Sequence, residues 1–401
     1  MGDKIFFFFY VAISTLVNIA TLPYLLLISK KKQKYKQSIP ARFFMTNNKP
    51  LVADGVWFHA CSYGETRSLY PLIDILPVSV LRLSSITQTG HGAMAEKSPQ
   101  QCRYLPFEPW LLFWMKPQYI LIVMEAELWY MLFALAKKKG SKTMLVNARV
   151  SDASWNRYKR FSWLYRRIFR YIDEVYVQRD IDQERLVVIG AKNVKVTGNI
   201  KLASIPKPNR IIQKQDGLLI CAASTHKGEE EIILDSFAQL RKQVYDAKLI
   251  IVPRHPERFE NVAEMSQSFC KNNNMKFGLY SQAQSLENDL TVVDKLGELI
   301  NLYAISDIVI LGGAFGKYGG HNAAEAAQFG CRIISGEYYY NQRDIFDSIE
   351  GIVVANKEKL TQILLDYESL PMTKITQQTN LEPIINSIKQ TLKERENGTS
   401  L

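Results

Sequence analysis

From Val52 onward, short apolar runs alternate with helical patterns, and the polar chemistry gathers at the junctions between them. GVWFHACS, VLRLSSIT, YILIVM, SKTMLVNARV, EVYVQ and VKVTG read as strands, with ETRSLYPLIDIL and the stretch closed by Gly140 as helices. Repeated strand–helix–strand connection builds a parallel sheet with helices on both faces, so the fold class is α/β. The second half repeats the pattern. GLLICAA, AKLII and DIVILGG precede the polar segments STHKGEEE (Ser224–Glu231), VPRHPERF (Val252–Phe259) and GGHNAAEAA (Gly319–Ala327). Ligands of open parallel sheets bind at the carboxyl ends of the strands, so these segments predict one shared pocket. An arginine, two helix N-termini and a carboxylate able to reach a ribose suit a nucleotide.

With 401 residues the chain is too long for one ordinary core. Two domains of roughly 170–200 residues are expected. The proline-marked stretch SIPKPNRIIQKQD reads as the linker between them. The segments are 1–36, a 37–204 domain and a 205–401 domain. Hydrophobic residues make up 47% and charged residues 22%, which excludes a largely disordered chain. The net charge of +11 suits an anionic partner: nucleic acid, acidic lipid or a phosphorylated substrate. Cys61, Cys102, Cys221, Cys270 and Cys331 are scattered without a CxxC, and read as reduced thiols of a cytosolic protein.

Ile5 to Ser29 carries no charged side chain. As a helix this stretch is about 37 Å long, enough to cross a hydrocarbon core of about 30 Å. It is too long for the apolar part of a cleaved signal peptide. Lys30, Lys31, Lys32, Lys34 and Lys36 follow it, which predicts a membrane anchor with the rest of the chain on the cytoplasmic side. Asn18 and Pro23 weaken the span, so an interfacial helix stays open as the alternative. Either arrangement favours anionic lipid. The segment Arg157–Arg170 interleaves basic residues with Phe161, Trp163, Tyr165 and Phe169 and reads as one helix. It is either an ordinary amphipathic helix or a basic-aromatic face, for which the anchor favours a membrane over nucleic acid.

Three strand-to-helix junctions of the first half carry ionisable groups. In SYGE, Glu65 is either a favourable acid in a first helical turn, worth ~0.3–1 kcal/mol, or a carboxylate free for acid–base chemistry. In EAELW, Glu125 at the strand end has less structural excuse than Glu127. In GNIK, Lys201 is a surface lysine or a phosphate contact.

In the second half, Ser224 or Thr225 can cap a helix expected to begin at Gly228–Glu229, leaving backbone N–H groups for an anion. Arg254 lies between two prolines, where a stiffened guanidinium suits phosphate or carboxylate, or else pairs with a glutamate. Gly297 in DKLGEL allows close approach of the backbone to a base edge. Asn322 and Glu325 have the spacing of a reciprocal cap, and Glu325 can alternatively accept ribose hydroxyls. His59, His226, His255 and His321 form neither HxH nor HExxH, so no metal site is expected.

HACSYGE, MEAELW, LVNARVSDASWNRY, VTGNIK, AASTHKGEEEIIL, LIIVPRHPERF, DKLGELINLY and GGHNAAEAA together resemble the 3-deoxy-D-manno-octulosonic acid (Kdo) transferases of lipopolysaccharide assembly, in that family's order. The resemblance implies a GT-B glycosyltransferase: two Rossmann-like domains facing a cleft, acceptor on the first, CMP-sugar on the second. It implies CMP-Kdo as donor, a lipid A precursor as acceptor, an inner-membrane location, and neither a cofactor nor a metal. By the same resemblance Glu65 matches the general base, and Glu125 and Lys201 match transition-state stabilisers. Pro253, Arg254, Leu296, Gly297, Glu298, Asn322, Ala323, Ala324 and Glu325 match CMP contacts. SYGE stands for the commoner SVGE, EAELW for ETELW, GNIKLA for GNLKFD and HNAAE for HNPLE, which bears on specificity more than on activity. Two other readings remain: a GT-B enzyme of UDP-sugars, transferase or epimerase, and a membrane-tethered basic binding protein.

Overall fold

The computed structural model describes residues 2–398 apart from 215, 284 and 285. It divides into two compact units, residues 1–204 with 378–401, and residues 205–377.

The first unit is built on strands β1 (Val56–His59), β2 (Leu81–Ser85), β3 (Cys102–Tyr104), β4 (Ile120–Met124), β5 (Lys142–Ala148), β6 (Glu174–Val177) and β7 (Val194–Val196). Their order is β3-β2-β1-β4-β5-β6-β7, and every pairing is parallel. β1 and β4 are buried along their whole length, which explains their uninterrupted apolar sequences. β3 was not legible in the sequence, because three residues with an arginine in the middle carry no usable period.

The second unit repeats the plan with β8 (Leu219–Thr225), β9 (Lys248–Pro253), β10 (Phe277–Leu279), β11 (Leu290–Val292), β12 (Ile308–Leu311), β13 (Arg332–Ser335), β14 (Ile349–Glu350), β15 (Ile352–Val354) and β16 (Lys374–Ile375). The main sheet runs β10-β11-β9-β8-β12-β13-β15, all parallel. β14 and β16 form a separate antiparallel pair. The carboxyl ends of β11, β9, β8 and β12 are therefore four consecutive positions on one sheet edge.

Two sequence expectations change. The boundary at residue 204 matches the linker, but the expected 205–401 domain ends at Gln377. The chain then returns to the first unit, where Asn380 N–H bonds Thr197 O at 2.8 Å and the Ser387 hydroxyl donates to Glu174 at 2.6 Å. The helix Glu382–Glu396 buries Ile384 and Ile388 beside Tyr176 and Ile200. Helical periodicity reveals an apolar face but not which sheet receives it. The basic segment Arg157–Arg170 also proves to be two helices, Asp152–Arg160 and Ser162–Phe169. They break at Phe161, which lies outside helical geometry, and the second turns Ile168 and Phe169 into the core.

The N-terminal apolar stretch forms one helix, Asp3–Lys31, running through Pro23. Phe8, Leu16, Val17, Ile19 and Leu27 are exposed along it. Its first third is docked on the first unit. Arg170 Nη1 bonds the Asp3 carboxylate at 2.8 Å, Tyr10 donates to Glu108 at 2.5 Å, and Phe6 packs edge-on to Tyr130 with centroids 5.1 Å apart. All five cysteines are buried free thiols.

Candidate active site

In the first unit, Glu65 occupies the third position of the helix Tyr63–Ile73. Ser62 is its N-cap and accepts from Glu65 N–H at 3.3 Å. The Ser62 hydroxyl donates to Glu65 Oε1 at 2.7 Å, and Cys61 N–H donates to Oε2 at 2.9 Å. This is a variant of the capping box in which the glutamate bonds the residue before the N-cap, so the structural reading of Glu65 holds. It coexists with an electrostatic one. Burial raises the Glu65 carboxyl above its ordinary value and the charge of Glu125 raises it further, against the opposing pull of the Cys61 and Ser62 bonds. A carboxylate with a raised pKa is a better proton acceptor near neutral pH.

Glu125 follows β4 directly and adopts a left-handed backbone, φ 56°. Asn147, near the end of the neighbouring strand β5, does the same, φ 56°. Non-glycine residues in this region are strained and need surrounding support. Asn147 supplies it, accepting from Ile200 N–H at 2.9 Å and donating to Glu125 at 3.4 Å. Lys201, next in the chain, reaches Glu125 Oε1 at 2.8 Å, with both side chains 25% exposed. The fold thus places Glu65, Glu125 and Lys201 at carboxyl ends of strands of one sheet, Glu65 and Glu125 after the neighbours β1 and β4 and Lys201 after the edge strand β7. Asn147 is the member that sequence reasoning missed. Its signal was a polar residue interrupting the apolar run at the end of β5.

In the second unit Pro253 ends β9 and Arg254 follows, exposed, its N–H bonded to Thr225 O at 3.1 Å. Gly297 has φ 86° with open space where a side chain would stand, and Leu296 beside it is 62% exposed. Glu298 is turned inward to Arg210 at 2.6 Å and Asn301 at 3.2 Å. Burial alone raises its carboxyl, but bonds from Asn301, Lys295 and Arg210 outweigh that and hold it below the ordinary value. Asn322 accepts from Ala324 N–H at 3.1 Å and its side-chain amide donates to Glu325 at 3.3 Å, but Ala323 is the N-cap, so the reciprocal cap expected from the spacing does not form as such. The helix it opens is only Ala324–Ala327, with Ala323 and Ala324 buried. Burial raises the Glu325 carboxyl, while Asn322 and the charge of Arg254 oppose the shift.

The expected cap at Ser224 or Thr225 is absent. Both side chains are buried in β8, the helix begins at Glu230, and it has no side-chain cap. The turn is organised instead by Glu229, which sequence reasoning passed over within STHKGEEE. Its buried carboxylate accepts from the N–H groups of His226 at 2.9 Å, Gly313 at 2.9 Å, Phe315 at 3.1 Å and Gly316 at 3.3 Å. An internal anion thus fills the backbone nest of the glycine-rich loop. Above it His226 Nε2 meets His321 Nε2 at 3.0 Å, and His226 stacks on Tyr318 with centroids 4.2 Å apart. Burial first, then the charge of Arg254, holds His321 down at about 3.

Residues 33–204 match the family described as 3-deoxy-D-manno-octulosonic-acid transferase (kdotransferase), and residues 204–378 match the glycosyl transferases group 1. The 3-deoxy-D-manno-octulosonic acid transferase of Haemophilus influenzae is 30% identical over 377 residues, covering 87% of each chain. The chain belongs to the Kdo transferase family. This transferase is also 31% identical over 370 residues to a bifunctional glycosyltransferase/methyltransferase of Fusobacterium nucleatum. That match takes in 84% of this chain and 56% of the longer protein. In fold alone the transferase resembles the UDP-GlcNAc 2-epimerase of Neisseria meningitidis, with 12% identity, TM-score 0.51, and coverage of 86% of this chain and 100% of the epimerase. The two parallel-sheet units are those of a GT-B glycosyltransferase.

Proposed function

We propose that this enzyme transfers Kdo from CMP-Kdo to a lipid A precursor in lipopolysaccharide synthesis, at the cytoplasmic face of the inner membrane. Family membership supports the sugar. The observation that carries the mechanism is the raised Glu65 carboxyl beside the Glu125–Lys201 pair. Glu65 takes the proton of an acceptor sugar hydroxyl as that oxygen attacks the anomeric carbon of Kdo. The bond from that carbon to the CMP phosphate oxygen breaks, its electron pair stays on the phosphate, and the anomeric configuration inverts. Proton transfer of this kind contributes ~10²–10⁴ in rate.

Charge grows on the departing phosphate. Arg254, at the end of β9, is its cationic stabiliser in the second unit, with no metal ion assigned to that step. The buried Thr225 hydroxyl, without a hydrogen-bond partner among the described residues, is a further phosphate contact at the end of β8. Leu296, Gly297 and the Asn322–Glu325 turn hold the cytidine and ribose, with Glu298 bracing that loop from inside through Arg210.

The apolar helix supports membrane attachment. A helix crossing the bilayer would put Asp3 on the side opposite the lysine run. Its contacts with Arg170, Glu108 and Tyr130 instead favour a helix lying in the interface, with its exposed apolar side in lipid.

The test is transfer from CMP-Kdo to a tetra-acylated lipid A precursor, followed by mass spectrometry. Glu65→Gln should lose at least about 100-fold in turnover while binding CMP normally. Near wild-type turnover would remove Glu65 from its role, and stabilisation by UDP but not CMP would remove the donor assignment.

A further inference from the structure

Directly beneath the Glu65 capping box lies a cluster that the transfer reaction does not use. His59 ends β1, Cys61 follows two residues later, and Glu127 comes from the loop after the neighbouring strand β4. A ring nitrogen, a thiol sulfur and a carboxylate oxygen from these residues all lie within 4.8 Å of one another. The sequence shows no metal signature here because the donors come from two different strand ends.

His59 is fully buried, and its Nδ1 lies 3.1 Å from the Ser84 carbonyl and 2.9 Å from the Ser84 hydroxyl. Donation of Nδ1–H to that carbonyl leaves Nε2 as a lone pair, and Nε2 faces Cys61 Sγ at 4.0 Å. Glu127 is held from behind by Trp129 Nε1 at 2.6 Å. Metal ligands are typically oriented in this way, by a carbonyl behind the imidazole and a donor behind the carboxylate.

We propose that His59 Nε2, Cys61 Sγ and Glu127 bind one zinc(II) ion, with water completing a tetrahedron. A mixed nitrogen, sulfur and oxygen set suits zinc better than magnesium or calcium, which prefer all-oxygen sites. Zinc bonds of about 2.0 Å to nitrogen and 2.3 Å to sulfur set such donors about 3.5 Å apart, so binding draws the cluster in by about 1 Å. The thiol gives its proton to solvent as the metal–sulfur bond forms, and no oxidation is involved. The ion is a structural clamp. It ties the loop that presents Glu65 to the loop that presents Glu125, within one unit, and takes no part in the departure of the phosphate.

Titration of the chelator-treated, full-length enzyme with cobalt(II) alone is the test. The expected result is one equivalent bound, with a thiolate-to-cobalt band in the near ultraviolet and visible bands of four-coordination, all removed by zinc(II). Cys61→Ser should abolish the near-ultraviolet band, and Glu127→Gln should weaken cobalt binding by about 10-fold or more. Failure of the folded wild-type protein to take up cobalt, or a band that survives Cys61→Ser, overturns the site. Both outcomes are read without donor or acceptor, so they are independent of the assigned sugar chemistry.

Discussion

Lys201 Nζ stands 2.8 Å from Glu125 Oε1, an ion pair across two strand ends whose negative partner also raises the Glu65 carboxyl. The pair therefore sets the charge that the proposed base feels, and its two members should act in opposite directions. Glu125→Gln removes a like charge and leaves Lys201, so the Glu65 pKa falls. Lys201→Met leaves Glu125 uncompensated, so the Glu65 pKa rises. The base works ionised, and activity climbs as pH rises through its pKa. The rising limb of kcat/KM against pH should move to lower pH in Glu125→Gln and to higher pH in Lys201→Met. Both variants should also lose about 10–1000-fold in kcat through weaker transition-state stabilisation. Limbs that move together, or not at all, would disconnect the pair from Glu65.

Glu229 is expected to be a stability residue rather than a donor contact. Its carboxylate is surrounded by backbone N–H groups of the glycine-rich loop, the nearest at 2.9 Å. Glu229→Ala leaves several buried donors unpaired, at about 1–3 kcal/mol each before water or local rearrangement compensates. A loss of about 2–4 kcal/mol in urea unfolding is expected. Glu229→Gln should lose less, because its amide oxygen still accepts from part of the nest. Unchanged stability with lost CMP binding would reverse the assignment.

The interfacial helix makes a topological prediction. A cysteine at position 2 (Gly2→Cys) should stay protected from a membrane-impermeant maleimide added outside intact spheroplasts, and should react after lysis. Labelling of intact cells would establish a crossing helix and would require the Asp3–Arg170 contact to be absent in the membrane. Removal of the pairing charge by Arg170→Ala should leave the protein membrane-bound, since the exposed apolar side chains Phe8, Leu16, Val17 and Leu27 remain.

What the sequence revealed follows from how local each signal is. β1, β4, β8 and β12 were visible because a strand buried on both faces needs a continuous apolar run. Strand-to-helix junctions were visible because parallel sheets put chemistry there: Glu65 follows β1, Glu125 β4, Lys201 β7 and Arg254 β9. The return of residues 378–398 to the first unit was not visible, since the Ile384 and Ile388 face fits either sheet by chemistry alone. The cap expected of Ser224 and Thr225 failed for a tertiary reason. Glu229 bonds the loop after β12, 84 residues distant in sequence, and this pins the turn so that β8 runs on through Thr225. The Asn147 bridge is equally non-local: it joins β5 to Ile200 N–H, 53 residues away.

The histidine pair predicts how the second unit responds to acid. His321 is held at about 3 by burial and by the charges of Arg254, His226 and His255. In the unfolded chain a histidine titrates near 6.5. Between those values the unfolded state binds a proton that the folded state refuses, so stability is lost as pH falls through that window. The unfolding midpoint of the second unit should therefore drop between pH 7 and pH 5. His321→Asn removes one refused proton and should make that drop smaller, even if the variant is less stable at pH 7. Thermal scans of both proteins at the two pH values, read as the difference within each protein, decide it. An equal or larger drop in His321→Asn would mean that His321 accepts its proton in the folded state, through a rearranged contact with His226.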